Sequence, residues 1–83
     1  MFYVYILYSK GYDSYYVGHT DDVQRRLSEH NSCQNTSTKR YVPWELIGFI
    51  EKADKSSAYR LEMKLKNLSK ERKKKFIAKY LGN

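Results

Sequence analysis

The chain has 83 residues, 41% of them hydrophobic and 16% aromatic, a single cysteine (Cys33) and a formal net charge of +7. That length leaves no room for a second core, one cysteine excludes an internal disulfide, and no apolar run approaches the roughly 18 residues of a membrane span. The charge is uneven: residues 1–50 carry five Lys/Arg against five Asp/Glu, and residues 51–83 carry eleven against four.

The first stretch, FYVYILYS (Phe2 to Ser9), is aromatic and β-branched and predicts a strand. Phe2, Val4, Ile6 and Tyr8 alternate with Tyr3, Tyr5 and Leu7, so both faces are apolar and the strand should be covered on both sides. KGYD (Lys10 to Asp13) is a turn, and SYYVG (Ser14 to Gly18) a second strand, antiparallel because the connection is short. A helix follows, capped by Thr20 or Asp21 with Gln24 at the capping-box position, and stops near Asn31. Ser32 to Pro43 is polar and predicts a loop, long enough to suggest a functional role. Trp44 to Lys52 predicts a third strand, with Gly48 marking a bulge or close approach. Asp54 to Lys70 carries the clearest helical spacing, Ala58, Leu61, Leu65 and Leu68, with Ser56 or Ser57 as cap. Ser69 caps a last helix over about 70–81, with Phe76, Ile77 and Tyr80 as its apolar face and Gly82 as its stop. The expectation is one α+β domain over residues 1–83, with a three-stranded antiparallel sheet flanked by helices in the order β-β-α-β-α-α. The chain opens in a strand-like run without a basic leader or cleavage site, which predicts a cytoplasmic location.

Helix geometry places polar groups where core residues belong. At about 100° per residue, Arg26 and His30 share the face of Val23 and Leu27, whereas Arg25 points almost opposite. Glu62 lies between Ala58 and Leu65, with Met63 and Lys64 turned away. An unpaired carboxylate there would cost several kcal/mol on typical effective penalties. Each residue alone has a structural explanation. Glu62 can pair with Lys66, Arg26 with Glu29, His30 can be a satisfied helix-end histidine, and Tyr5 and Tyr16 can be core. Together they suggest chemistry. A carboxylate holds a hard divalent cation, an arginine clamps a phosphate, and a phenol or imidazole takes a proton from water. The lysine run Lys70 to Lys75 adds attraction for polyanions through counterion release, although such a run is also an ordinary solvated helix face.

These residues resemble the GIY-YIG nuclease superfamily, in particular its small stand-alone members. VYI (Val4 to Ile6) stands for Gly-Ile-Tyr and YVG (Tyr16 to Gly18) for Tyr-Ile-Gly, about ten residues apart. RRLSEHN carries the matching arginine, Arg26, and RLEMKLKNLS the matching glutamate, Glu62. The resemblance runs from about Tyr3 to Ser69. It implies metal-dependent endonuclease activity, with Mg²⁺ (or Mn²⁺) on Glu62, Arg26 on the scissile phosphate, Tyr5 or Tyr16 activating water, and His30 near the base. Between the two phenols, Tyr5 is preferred. Gly18 would let backbone approach the site. The nucleic acid, DNA before RNA, would be held by Gly18, His19, Lys39, Arg40, Lys70, Lys73 and Lys74.

The sequence departs from the pattern at three places. The first motif lacks its glycine, His19 follows the second glycine where many relatives have lysine or another polar group, and Lys74 stands near a polar position, often asparagine, of several relatives. The alternative is a nucleic-acid-binding module of the same fold with an inactive site. A faint echo of RNA-recognition strands in KGYDSYYV fails on topology, because that fold inserts a helix between its first two strands. With no appended recognition domain, specificity is expected to be low or to come from a protein partner.

Overall fold

The computed structural model describes residues 1–34, 36 and 38–81. The elements are β1 (Phe2–Ser9), β2 (Ser14–Thr20), α1 (Val23–Asn31), a 3₁₀ turn (Lys39–Tyr41), β3 (Glu45–Lys52), α2 (Lys55–Lys66) and α3 (Lys70–Tyr80). This is the expected β-β-α-β-α-α order, and the sheet is antiparallel throughout with strand order β2-β1-β3. Among the described residues no helix is long and apolar enough to cross a membrane.

β1 is central because both of its faces are apolar. Val4 and Ile6 pack with Val17 of β2 and with Ala58 and Leu65 of α2, and Phe76 and Ile77 of α3 close that cluster. Tyr5 and Leu7 point the other way, onto Val23 of α1 and Trp44. Two cores, one on each side of a three-stranded sheet, let so short a chain bury Val4 to Leu7 fully.

The helix starts differ from expectation at two of three places. Asp22, not Thr20 or Asp21, caps α1, its carboxylate accepting from the Arg25 N–H at 3.0 Å. The Thr20 hydroxyl instead accepts from the Asp22 N–H at 3.1 Å and keeps the chain extended to that point. The third helical position is then Arg25, so Gln24 has no capping-box role. Asp54, not Ser56 or Ser57, caps α2 and accepts from the Ser57 N–H at 2.8 Å. At both starts an aspartate stands at the last extended residue, where its charge also suits the helix dipole. Ser69 caps α3 as expected. Gly82, the expected stop of that helix, lies outside the described residues.

The predicted loop after α1 is stitched down. Asn31 donates to the Trp44 carbonyl at 3.0 Å and accepts from the Trp44 N–H at 2.6 Å. The Trp44 indole donates to the Thr38 carbonyl at 3.1 Å. Trp44 thus precedes β3 as an anchor rather than opening it. The bulge expected near Gly48 is present: pairing passes from Ile6–Gly48 to Leu7–Leu46, which leaves Ile47 as the extra residue.

Gly18 is required by a close approach. It pairs with Tyr5 across the strands, and a Cβ at position 18 would lie 2.5 Å from the Tyr5 Oη and 2.7 Å from its Cζ. A Cβ at Gly48 would meet only the flexible side chain of Leu81, at 3.2–3.3 Å. Gly18→Ala should therefore cost about 1–3 kcal/mol of stability, as overpacking does, and Gly48→Ala clearly less. Urea midpoints of the two variants check this; equal midpoints would contradict the role given to Gly18.

Candidate active site

The candidate residues lie on both sides of the free edge of β2. On the α1 side the cross-strand pairs Tyr5–Gly18 and Leu7–Tyr16 place Tyr5, Tyr16 and the bare Gly18 backbone together. The Tyr5 and Tyr16 rings are 6.2 Å apart, and the His30 ring is 4.8 Å from Tyr16. On the α2 side His19 points at Glu62. Its Nδ1 is 2.5 Å from Glu62 Oε1, and Lys66 Nζ is 3.0 Å from Oε2. The two sides communicate around the edge, since the Lys66 ammonium also stands 5.7 Å from the Tyr16 ring centroid.

Tyr5, only 2% exposed, is the hub of the α1 side. Its hydroxyl is 3.0 Å from His30 Nε2, and His30 Nδ1 is 2.8 Å from the Thr38 hydroxyl. The Arg26 guanidinium lies beside the same phenol. Arginine can only donate, so the phenol oxygen accepts from it and spends its own proton on His30 Nε2. His30 then carries its proton on Nδ1 and donates it to Thr38. Burial pushes the Tyr5 pKa up to about 12, opposed by the hydrogen bond from Arg26. Burial, helped by the charge of Arg26, holds His30 below its ordinary value. The Glu29 carboxylate, 2.9 Å from the Arg26 Nη1, raises Arg26 further. The contacts to Glu29 and Tyr5 still leave guanidinium N–H groups for a phosphate.

Arg26 and His19 line one open hollow of about 470 Å³, together with Arg25, Glu29 and Lys55. Tyr5 reaches it through Arg26, and Glu62 through His19. Arg25 is exposed and tied to Asp21 at 2.8 Å. The remaining basic residues named from the sequence do not join this hollow. Lys39 and Arg40 lie on the 3₁₀ turn, with Arg40 over the Tyr41 ring. Lys70 is paired with Asp13, and Lys73 donates to the Leu68 carbonyl at 3.1 Å. Lys74 is exposed on α3. Position 13 is five residues from Gly18, about 17 Å along an extended strand.

Sequence reasoning missed Thr38, which closes the Tyr5–His30 chain, and the pairing of His19 with Glu62. The first left no signal, since it depends on how a polar loop folds back. The second was legible in part, because Val17 and His19 alternate onto the face that α2 covers.

No group of three or more His, Cys, Asp and Glu side chains gathers among the described residues. The arrangement therefore does not suit tetrahedral zinc. It does suit a hard cation such as Mg²⁺, which takes one carboxylate and fills its shell with water and phosphate oxygens. Glu62, 7% exposed and oriented by His19, is the group that would hold it.

A sequence model described as the GIY-YIG catalytic domain matches residues 1–75. A UPF0213 protein of Natronomonas pharaonis is 33% identical over 81 residues, 96% of this chain and 94% of the relative. Another, from Cupriavidus necator, is 38% identical over 77 residues, 92% of this chain and 83% of the relative. The solution NMR structure of the UPF0213 protein from Bacillus halodurans superimposes with a TM-score of 0.64 at 34% identity, covering 99% of this chain and 88% of the other. The chain belongs to the GIY-YIG family. In this GIY-YIG domain the two motif tyrosines stand on adjacent strands, and the motif arginine and glutamate on the two helices that cover opposite faces of the sheet.

The buried histidine carries a pH signature. Because the folded pKa of His30 lies below its ordinary 6.5, the unfolded chain binds the proton first as pH falls. Stability is therefore flat above about pH 6.5 and declines below it, towards the lowered folded pKa. In His30→Gln that part of the slope should disappear. Denaturant midpoints of both proteins, measured from neutral pH downward, test this; parallel profiles would show that His30 is not buried neutral.

Proposed function

We propose that this GIY-YIG domain is a metal-dependent endonuclease that hydrolyses phosphodiester bonds of nucleic acid, DNA foremost. The observation that supports the reading is that Arg26 and His19 line one hollow, with the buried Glu62 carboxylate held by His19 on one side of the sheet and Tyr5 beside Arg26 on the other. Glu62 is the residue for the cation, which when bound supplies Lewis-acid charge at the phosphate. Arg26 receives the scissile phosphate and the charge that builds on it.

The two phenols divide the remaining work. Tyr5 is buried, raised to about 12 and spends its proton on His30, so it holds Arg26 in place rather than taking a proton. This reverses the preference drawn from the sequence. Tyr16 is only partly buried and has the Lys66 ammonium near its ring. Its oxygen is the group that receives the proton of the attacking water. The water oxygen bonds to phosphorus, the bond to the leaving oxygen breaks, and that oxygen is protonated from solvent. Lys39, Arg40 and Lys74 supply outlying phosphate contacts, joined by Lys73 and by Lys70 once it leaves Asp13. With so little surface for base reading, specificity rests on a protein partner or on the shape of the substrate.

One observation favours a second reading, binding without hydrolysis. Both oxygens of Glu62 already have partners, His19 and Lys66. Cleavage of labelled oligonucleotides in Mg²⁺ or Mn²⁺ decides between the two. Glu62→Gln should reduce cleavage to background while the circular dichroism and oligonucleotide binding stay unchanged. Undiminished cleavage by that variant would remove the metal role of Glu62, and binding without any cleavage by the wild-type chain would establish the second reading. Arg26→Ala should slow cleavage on the order of 10²-fold, and Arg25→Ala only a few-fold; equal losses would contradict the placement of Arg26.

A further inference from the structure

α2 carries a stripe of which the proposed reaction uses only the second half. At about 100° per residue, Lys55, Tyr59, Glu62 and Lys66 fall within an arc of about 60°. A cation and an aromatic ring thus precede the carboxylate on the same face. Tyr59 is 50% exposed, and its ring stands edge-on to His19, with centroids 6.1 Å apart and planes at 87°. Its hydroxyl has no hydrogen-bond partner, and the Lys55 ammonium no carboxylate partner, among the described residues. His19, Lys55, Ser56 and Tyr59 line an open hollow of about 320 Å³. His19 and Lys55 also line the hollow that Arg26 faces, so the two are contiguous. The edge of the Tyr59 ring packs on His19, and half of the ring is left in water next to a buried charged site. What it offers is a flat face one helical turn from the cation-binding carboxylate.

We propose that this hollow is a nucleotide subsite. It takes the nucleobase beside the scissile phosphate, out of its stack and against the Tyr59 ring, while Lys55 holds the adjoining phosphate. The occupant follows from position and charge. A ligand that has a phosphate at Arg26 and continues past His19 meets an ammonium and then an aromatic face, the pairing that single-strand binding surfaces use. In a continuous duplex both faces of an internal base are covered by its neighbours, so the subsite requires an unstacked nucleotide. The site is thereby directed to single strands or to junctions where a strand leaves the helix.

The proposal rests on the phosphate hollow of the reading above but not on hydrolysis, so it is tested by binding alone, in EDTA. Fluorescence anisotropy compares a thymidine 12-mer with a 12-mer of the same backbone made wholly of abasic units. Loss of stacking in Tyr59→Ala should weaken binding of the thymidine oligomer about 5- to 100-fold and leave the abasic oligomer unchanged. Tyr59→Phe should match the wild type, and Lys55→Gln should weaken both oligomers. Equal binding of the two oligomers by the wild type, no binding of either, or an equal loss on both in Tyr59→Ala would each overturn the subsite. A wild-type chain that shows these binding differences yet cleaves nothing would leave the subsite standing and remove only the hydrolysis.

Discussion

The contact of the Tyr5 ring with the backbone of Gly18 sets the geometry of everything around it. A methyl group at position 18 would lie 2.5 Å from the Tyr5 oxygen, so the phenol can cross the neighbouring strand only where that strand has no side chain. Once across, the hydroxyl meets His30 and Arg26, both delivered by α1. The glycine works here through the space it leaves, because its φ is not positive. Without that space the phenol could not anchor the guanidinium, and the α1 half of the site would lose its frame.

The two halves solve the cost of buried polarity in opposite ways. On the α1 side the buried groups are kept neutral. Tyr5 stays a phenol and His30 a neutral imidazole, and a hydrogen bond passes from one to the next and on to Thr38. On the α2 side a charge is buried and compensated, with His19 on one oxygen of Glu62 and Lys66 on the other. A neutral chain is rigid and cheap to desolvate, which suits a group that positions others. A compensated charge can change partners, which suits a group that meets a cation.

Much of this was legible in the sequence, and what was hidden has a physical reason. The doubly apolar alternation of Phe2 to Ser9 announced a central strand, and helical spacing alone put Arg26 and Glu62 on covered faces and Arg25 outside. The caps were off by one to three residues, because Thr20, Asp21 and Asp22, like Asp54, Ser56 and Ser57, all have capping side chains. The choice depends on where the backbone leaves the extended region, which composition does not encode. Thr38 was invisible for a different reason. Its link to His30 spans eight residues of polar chain, and that of His30 to Tyr5 spans twenty-five. Neither has a periodicity to betray it. The preference for Tyr5 over Tyr16 could not be resolved for the same reason, since the phenols differ only in burial and partners, and both are tertiary facts.

The same reasoning explains how Glu62 can be both buried and available. His19 is the more enclosed of its partners, with 22% of its side chain exposed, against 41% for Lys66. The Lys66 ammonium is already partly in water, so hydration replaces part of what it loses on leaving the buried carboxylate. Withdrawing an enclosed imidazole would leave the carboxylate oxygen without a donor in a drier setting. The cation proposed for Glu62 would therefore displace Lys66 and keep His19. The freed ammonium would stay on the same stripe of α2, near the Tyr16 ring, where it would balance the charge of an entering phosphate. The arrangement that makes Glu62 look occupied thus also stores a cation within reach of the site.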